Sequence, residues 1–258
     1  MFDWLRPDVE LARDLSPSAW IVSTLEPWSS DGVRLASFMP DGLEAVARVF
    51  HPFEDWDGGK TTWRRWSEVG AERRISIDTE TSAEEVVGAD AVGTQGFPAE
   101  GELPEPVCGS LIDILAGETR TPETCWFALW SGWGLLRSGA AYLSPGGPSR
   151  KQIRQQRRNQ RREEAALGEI PQISEPHGST GRRYLLFRGP IDAACAFEPM
   201  QGHSVSPSFW WPDDRAWTVV TEIDGHSTYV GGTRGAIDTI LGSPQLEAIE
   251  VDRHVRIG

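Results

Sequence analysis

The chain has 258 residues, 38 acidic and 25 basic, for a formal charge of −13; 39% of its side chains are hydrophobic and 24% charged. That balance fits a globular unit large enough to bury a core and argues against wholesale disorder. The longest uncharged apolar stretch, Cys125 to Leu136, falls short of the ~20 residues that span a bilayer. The acidic start Met-Phe-Asp-Trp lacks the layout of a signal peptide, so a cytoplasmic, non-membrane protein is expected.

In chain order, Ala19 to Thr24 and Arg34 to Phe38 have the composition of short strands. Leu43 to Phe50 fits a helical face (Leu43, Val46, Ala47, Phe50) and strand alternation equally. Trp63, Trp66 and Val69, at three-residue steps, predict a short helix. Thr81-Ser-Ala-Glu84 reads as a capping box opening a helix to about Ala91. Pro106 begins a helix with Val107, Leu111, Ile114 and Leu115 as its apolar stripe, stopping near Gly117. Cys125 to Trp130 predicts a buried strand, with Trp126 and Trp130 on one face. Tyr184 to Arg188 is a further strand, and Ala216 to Ile223 pairs with His226 to Val230 across a two-residue Asp224-Gly225 turn. Thr233 caps a helix carrying Ala236, Ile237, Ile240 and Leu241, closed by Gly242-Ser-Pro244. Ala248 to Val251 ends the series. The expected class is α+β: a mainly antiparallel mixed sheet with flanking helices, forming one integrated unit.

Charge is unevenly spread. Arg150, Lys151, Arg154, Arg157, Arg158, Arg161 and Arg162 lie in thirteen residues without an acid, and without those seven, 18 basic side chains face 38 acidic ones, a charge of −20. Pro/Gly/Ser-rich stretches flank the segment, which divides the chain into an N-terminal α+β portion (1–143), an Arg-rich insert or linker (144–181) and a C-terminal strand–hairpin–helix–strand portion of the same fold (182–258). The arginines recur at helical steps and would form a cationic stripe able to contact a polyanion or an acidic surface. With no aromatic residue for stacking, nucleic-acid binding through this arm would be sequence-blind.

The blocks Trp211-Pro-Asp-Asp-Arg-Ala-Trp217, Thr221-Glu-Ile-Asp224 and Ser227-Thr-Tyr-Val-Gly-Gly232 resemble a widespread set of uncharacterised proteins from high-GC bacteria. Thr121-Pro-x-x-Cys-Trp-Phe-Ala-Leu-Trp130 with Gly132-Trp-Gly134, Arg34-x-x-Ser-Phe-x-Pro40, and Ala47-Arg-Val-Phe-His-Pro52 are similar to further blocks of that set. The resemblance implies one integrated fold. It implies no activity, catalytic residue or cofactor.

Several groupings have the residue types of chemical sites. Cys108, Cys125 and Cys195 lack metal-ligand spacing and read as small buried hydrophobes in a reducing compartment, without a disulfide framework. Gly58-Gly-Lys-Thr61 resembles the end of a phosphate loop, but Glu54 stands where the first glycine belongs. His51-Pro-Phe-Glu-Asp-Trp-Asp57 gathers oxygen ligands and reads as a solvated acidic turn. His203, Ser206 and Ser208, with Asp213, Asp214, Asp224 and His226, hold the parts of a Ser–His–Asp relay without a nucleophile elbow. Neither a metal nor a cofactor is expected.

Twelve tryptophans are several-fold above ordinary usage, and Trp210, Trp211, Asp213, Asp214 and Arg215 form the most distinctive group. They read either as a loop covering one end of the sheet, with an Asp213 or Asp214 pair to Arg215, or as a partner-contact surface, since Trp and Arg dominate binding hot spots. The acidic balance favours a non-enzymatic intracellular binding protein of the immunity or inhibitor kind, engaging a basic protein partner through that acidic, Trp-rich surface. The alternatives are a small hydrolase or phosphoesterase using the His203 or His51 region, and a nucleic-acid-associated protein acting through the arginine arm.

Overall fold

The computed structural model describes residues 2–28, 32–57, 60–88, 96–133, 154, 158, 165–174, 182–199 and 204–257. Its strands are β1 (Glu10–Leu11), β2 (Ala45–Phe50), β3 (Phe53–Asp57), β4 (Lys60–Arg64), β5 (Cys125–Trp130), β6 (Ile173–Ser174), β7 (Arg183–Gly189), β8 (Phe209–Pro212), β9 (Trp217–Thr221), β10 (Ser227–Gly232) and β11 (Ala248–Val251). Nine of them form one sheet in the order β1-β7-β5-β8-β9-β10-β2-β11, with β6 also on β7. All its described pairings are antiparallel. The protein is therefore α+β, as the sequence predicts, and the Cys125–Trp130 strand shares its sheet with the C-terminal strands.

Successive side chains of a strand point to opposite faces, and here both faces are covered. One face carries Ala47, Val49, Phe127, Leu129, Leu185, Phe187, Trp210, Trp217, Val219 and Val230 against two helices, α4 (Glu105–Leu115) and α5 (Arg234–Gly242). The other carries Val46, Ala128, Tyr184, Leu186, Phe209, Trp211, Val220 and Tyr229 against the N-terminal Ile21, Leu25, Leu35, Phe38 and Met39. Double coverage explains why β2, β8, β9 and β10 are buried at every position; such strands read as continuous apolar runs rather than alternating ones. Of the ambiguous Leu43 to Phe50 stretch, Ala45–Phe50 is strand and Leu43 precedes it. A satellite cluster of Phe50, Phe53, Trp66, Val69, Ala83, Val86 and Phe97 packs the β3–β4 hairpin and two short helices, α2 (Trp66–Arg73) and α3 (Ala83–Val87), beside the β2 end.

The helix expected from Pro106 and the Thr233 cap are both present, the Thr233 hydroxyl accepting from the Ala236 amide. Several other expectations need correction. Ala19 to Thr24 is a short helix, α1 (Ala19–Val22), entered through a 3-10 turn with Pro17 in its first turn. Leu35–Ser37 is a 3-10 turn rather than a strand. Carbonyls here bond to Arg253, whose guanidinium donates to Met39 O (2.9 Å), Thr24 O (2.8 Å) and Ala36 O (3.3 Å). The Trp63 region splits: Trp63 lies on β4, and the helix starts at Trp66 because Glu247, far along the chain, accepts from the Trp66 and Ser67 amides (2.6 and 2.7 Å). That carboxylate satisfies donors a helix start leaves open. The capping box is one residue later than expected, Ser82 with Glu85, and α3 ends at Val87 before Gly88, which adopts φ +90°. The β9–β10 connection is wider than a two-residue hairpin. Pairing stops at Thr221↔Thr228, and a turn closed by the Gly225 amide on Glu222 O (3.0 Å) fills the gap.

The cysteines also differ from expectation. Cys108 on α4 and Cys195 at the end of a 3-10 turn (Ile191–Cys195) form a disulfide across 87 residues. Helix packing over the sheet brings them together, which spacing along the chain does not reveal. Cys125 is a buried free thiol whose pKa burial pushes up to about 12, so it stays an inert hydrophobe. Among the described residues no helix is long and apolar enough to cross a membrane.

Candidate functional site

A cleft of about 310 Å³ opens beside the β9–β10 turn, between the start of α3 and the N-terminal segment. Its floor is built by strand register. Tyr229 of β10 stands opposite Arg48 of β2, so both side chains leave the same face of the sheet as neighbours. Arg48 is only 6% exposed. Its guanidinium donates to Ser227 Oγ (3.0 Å), Thr79 O (3.1 Å) and Thr81 O (2.9 Å), and its carbon lies 4.5 Å from the Phe50 ring centroid and 5.4 Å from that of Trp66. Burial pulls its pKa below the ordinary arginine value, opposed at longer range by Tyr229, Asp78 and Glu85. Tyr229 is 5% exposed, and burial raises its pKa while the nearby Arg48 lowers it.

One wall is the 222–226 turn. Arg182 is ion-paired to Glu222 and to Asp224 (2.7 Å), and its guanidinium lies over Trp28 and Phe38, 5.6 and 5.9 Å from their ring centroids. These pairs hold the turn in place and neutralise two of its carboxylates. Glu80 and Glu84, at the start of α3, face it. Glu84 lies 3.9 Å from His226 Nε2; His226 Nδ1 donates to Pro98 O (3.1 Å). Arg256 lies exposed at the rim. The cleft thus combines aromatic walls, two carboxylates without a close arginine partner, and a buried cation. Its volume is at the small end of the range for ligand sites.

The residues singled out from sequence lie elsewhere. Trp210 and Trp211 are each 1% exposed. Trp210 packs edge-on to Trp217 at 5.2 Å and stacks on Phe127 at 6.5 Å, while Trp211 fills the opposite core. As core residues on both sides of β8 they offer no contact surface, which corrects the partner-binding reading for both. Asp213 and Asp214 do not pair with Arg215. Asp213 accepts from Trp126 Nε1 (2.9 Å). Asp214 accepts from Thr119 Oγ1 (2.8 Å) and the Arg120 and Ala216 amides (2.9 and 3.3 Å), bonds that hold its carboxyl below the usual range against the opposing effect of burial. Arg215, at φ +58°, lies over Trp20 at 5.7 Å. The group is a sheet-end clasp with an exposed Asp213 and Arg215.

Of the arginine stripe, Arg154 and Arg158 are helical and exposed; Arg150, Arg157, Arg161 and Arg162 lie outside the described residues, as does His203. Ser206 Oγ accepts from the Leu103 amide (2.7 Å). His51 is fully buried, and burial lowers its pKa to about 4. Its Nδ1–H donates to Ala99 O (2.7 Å) and its Nε2 accepts from the Thr228 hydroxyl (2.9 Å). Both ring nitrogens are thus engaged, and His51 does not reach an acidic metal site. Among the described residues no group of three or more His, Cys, Asp or Glu is placed to hold a metal. Lys60 opens strand β4 rather than a helix, so the phosphate-loop likeness lacks its helix.

Of the residues grouped from sequence as chemical sites, Asp224 and His226 line the cleft; Arg48 and Tyr229 belong to the resemblance blocks and Glu84 to the expected capping box, but none of them, nor Arg182 or Glu80, was assigned a binding role. A signal was present in Ala45-Val-Ala-Arg-Val-Phe50: a lone arginine inside an apolar strand is rarely buried without a reason. No protein-family model, curated protein or solved structure matches the chain.

Proposed function

We propose that the protein is a non-enzymatic binding protein, of the immunity or inhibitor kind, that takes a basic segment of a partner protein into the cleft beside the β9–β10 turn. The observation that carries this reading is the pairing pattern of the cleft carboxylates. Arg182 occupies Glu222 and Asp224, which leaves Glu80 and Glu84 to receive a cation from outside. Trp28, which lines the same cleft, suits the aliphatic stem of an arginine or lysine. The −13 charge of the chain steers a basic partner toward it.

This reading moves the contact from Trp210 and Trp211 to the cleft while keeping a basic partner. The hydrolase alternative loses His51 as a base, since both its nitrogens are engaged. The Cys108–Cys195 bridge is of a kind that persists in oxidising surroundings, so the cytoplasmic expectation no longer has the cysteines behind it.

The test is calorimetric titration of short arginine- and lysine-containing peptides into the wild type and into Glu80→Gln/Glu84→Gln. Binding should weaken about three- to tenfold in the double variant and fall with added salt, as for partly exposed charge pairs. Affinity indifferent to both changes would overturn the reading.

A further inference from the structure

The floor of the cleft bears on which basic segment is taken, an inference that rests on the reading above. Arg48 is buried, yet its three hydrogen bonds all go to neutral acceptors, Ser227 Oγ, Thr79 O and Thr81 O. Among the described residues no carboxylate lies within ion-pair distance of it. A guanidinium has five N–H donors, so two remain. Burying a cation with no anion beside it is costly, and the cost falls when an anion arrives with matching geometry. The planar guanidinium fork matches a carboxylate.

Tyr229 supplies a second, independent observation. It is 5% exposed, lines the same cleft and is the cross-strand neighbour of Arg48. Its hydroxyl has no hydrogen-bond partner among the described residues. The residue lines the open cleft, so its hydroxyl is available as a donor to a ligand next to the unpaired cation.

We infer that the cleft recognises the free C-terminus of a partner chain ending in arginine or lysine. The terminal carboxylate binds Arg48 and the Tyr229 hydroxyl, and the basic side chain reaches Glu80 and Glu84. A negative group and a positive group on one residue match a buried cation and two acids without an arginine partner in one small cleft. An internal arginine fills only the acidic part and leaves Arg48 unpaired.

The experiment compares Gly-Ser-Gly-Arg bearing a free carboxylate, the same peptide as its C-terminal amide, and free arginine, by calorimetry on the full chain. The free acid should bind at least roughly tenfold tighter than the amide, as expected for a charge-assisted hydrogen-bond pair. It should also bind tighter than free arginine, because the rest of the partner adds contacts. Arg48→Lys should abolish most of the acid–amide difference. Tyr229→Phe, which removes only a hydroxyl, should reduce it about threefold and guards against misfolding of the Arg48 variant. Equal binding of acid and amide, both weakened by Glu80→Gln/Glu84→Gln, would overturn the terminus inference and leave the basic-segment reading standing. Failure of every peptide to bind would overturn both. Free arginine binding as tightly as the peptide would overturn the chain terminus as the source of the ligand.

Discussion

His51 should make the protein acid-sensitive in a way that can be calculated. Its imidazole is fully buried, accepts from the Thr228 hydroxyl and donates to Ala99 O. Protonation would place an N–H where Nε2 now accepts. Burial lowers its pKa from 6.5 to about 4, so the unfolded chain binds a proton more readily than the folded one. Stability from this group is complete above pH ~6.5 and is lost as pH falls toward ~4. The loss works out to about 1.4 kcal/mol by pH 5.5 and about 3 kcal/mol by pH 4. His51→Gln supplies an amide donor and an acceptor without a titrating group, and so serves as the reference. Urea unfolding followed by tryptophan fluorescence should show the wild type losing that increment relative to the variant. Parallel pH curves for the two proteins, or an imidazole that titrates near 6.5 by NMR, would refute the reasoning.

Reduction, or Cys108→Ser/Cys195→Ser, should destabilise the protein by about 3–5 kcal/mol, since the bridge closes a long loop; a thiol count of three in the untreated native protein would contradict the bridge. Gly101→Ala should cost several kcal/mol, measured by thermal melting. Gly101 has φ +67°, and a Cβ there would approach Ile223 O to 2.3 Å, pressing on the turn that walls the cleft; an unchanged melting temperature would contradict that contact. Trp210→Ala and Trp211→Ala should each lose about 3–5 kcal/mol by chemical denaturation; full stability with weakened peptide binding would return them to a contact surface.

The C-terminal elements were legible because their signals are local. Thr233 caps its own helix, Cys125–Trp130 of β5 and the Tyr-Leu-Leu-Phe stretch of β7 are uninterrupted apolar runs, and β9 is rich in β-branched residues. What escaped depends on distant residues. Arg253 satisfies the carbonyls that keep Leu35–Ser37 out of a strand, and Glu247 sets the start of α2. Cys108 meets Cys195 only through helix packing. The cleft belongs to this second class. Its turn lies in the recognisable block around Glu222 and Asp224, but the cation beside Tyr229 comes from β2, 181 positions earlier, through sheet register. The tryptophans were misleading for a related reason: with both faces of the sheet covered, β8 buries Trp210 and Trp211 together, whereas a strand with one wet face would have exposed one of them.

Ring signals of the three tyrosines give the most direct test of the cleft as the recognition site. With selective labelling and titration of Gly-Ser-Gly-Arg, the Tyr229 ring signals should shift saturably while those of Tyr184, buried behind Phe209, stay in place. Saturable binding of the peptide with Tyr229 unmoved would contradict the assignment of the site.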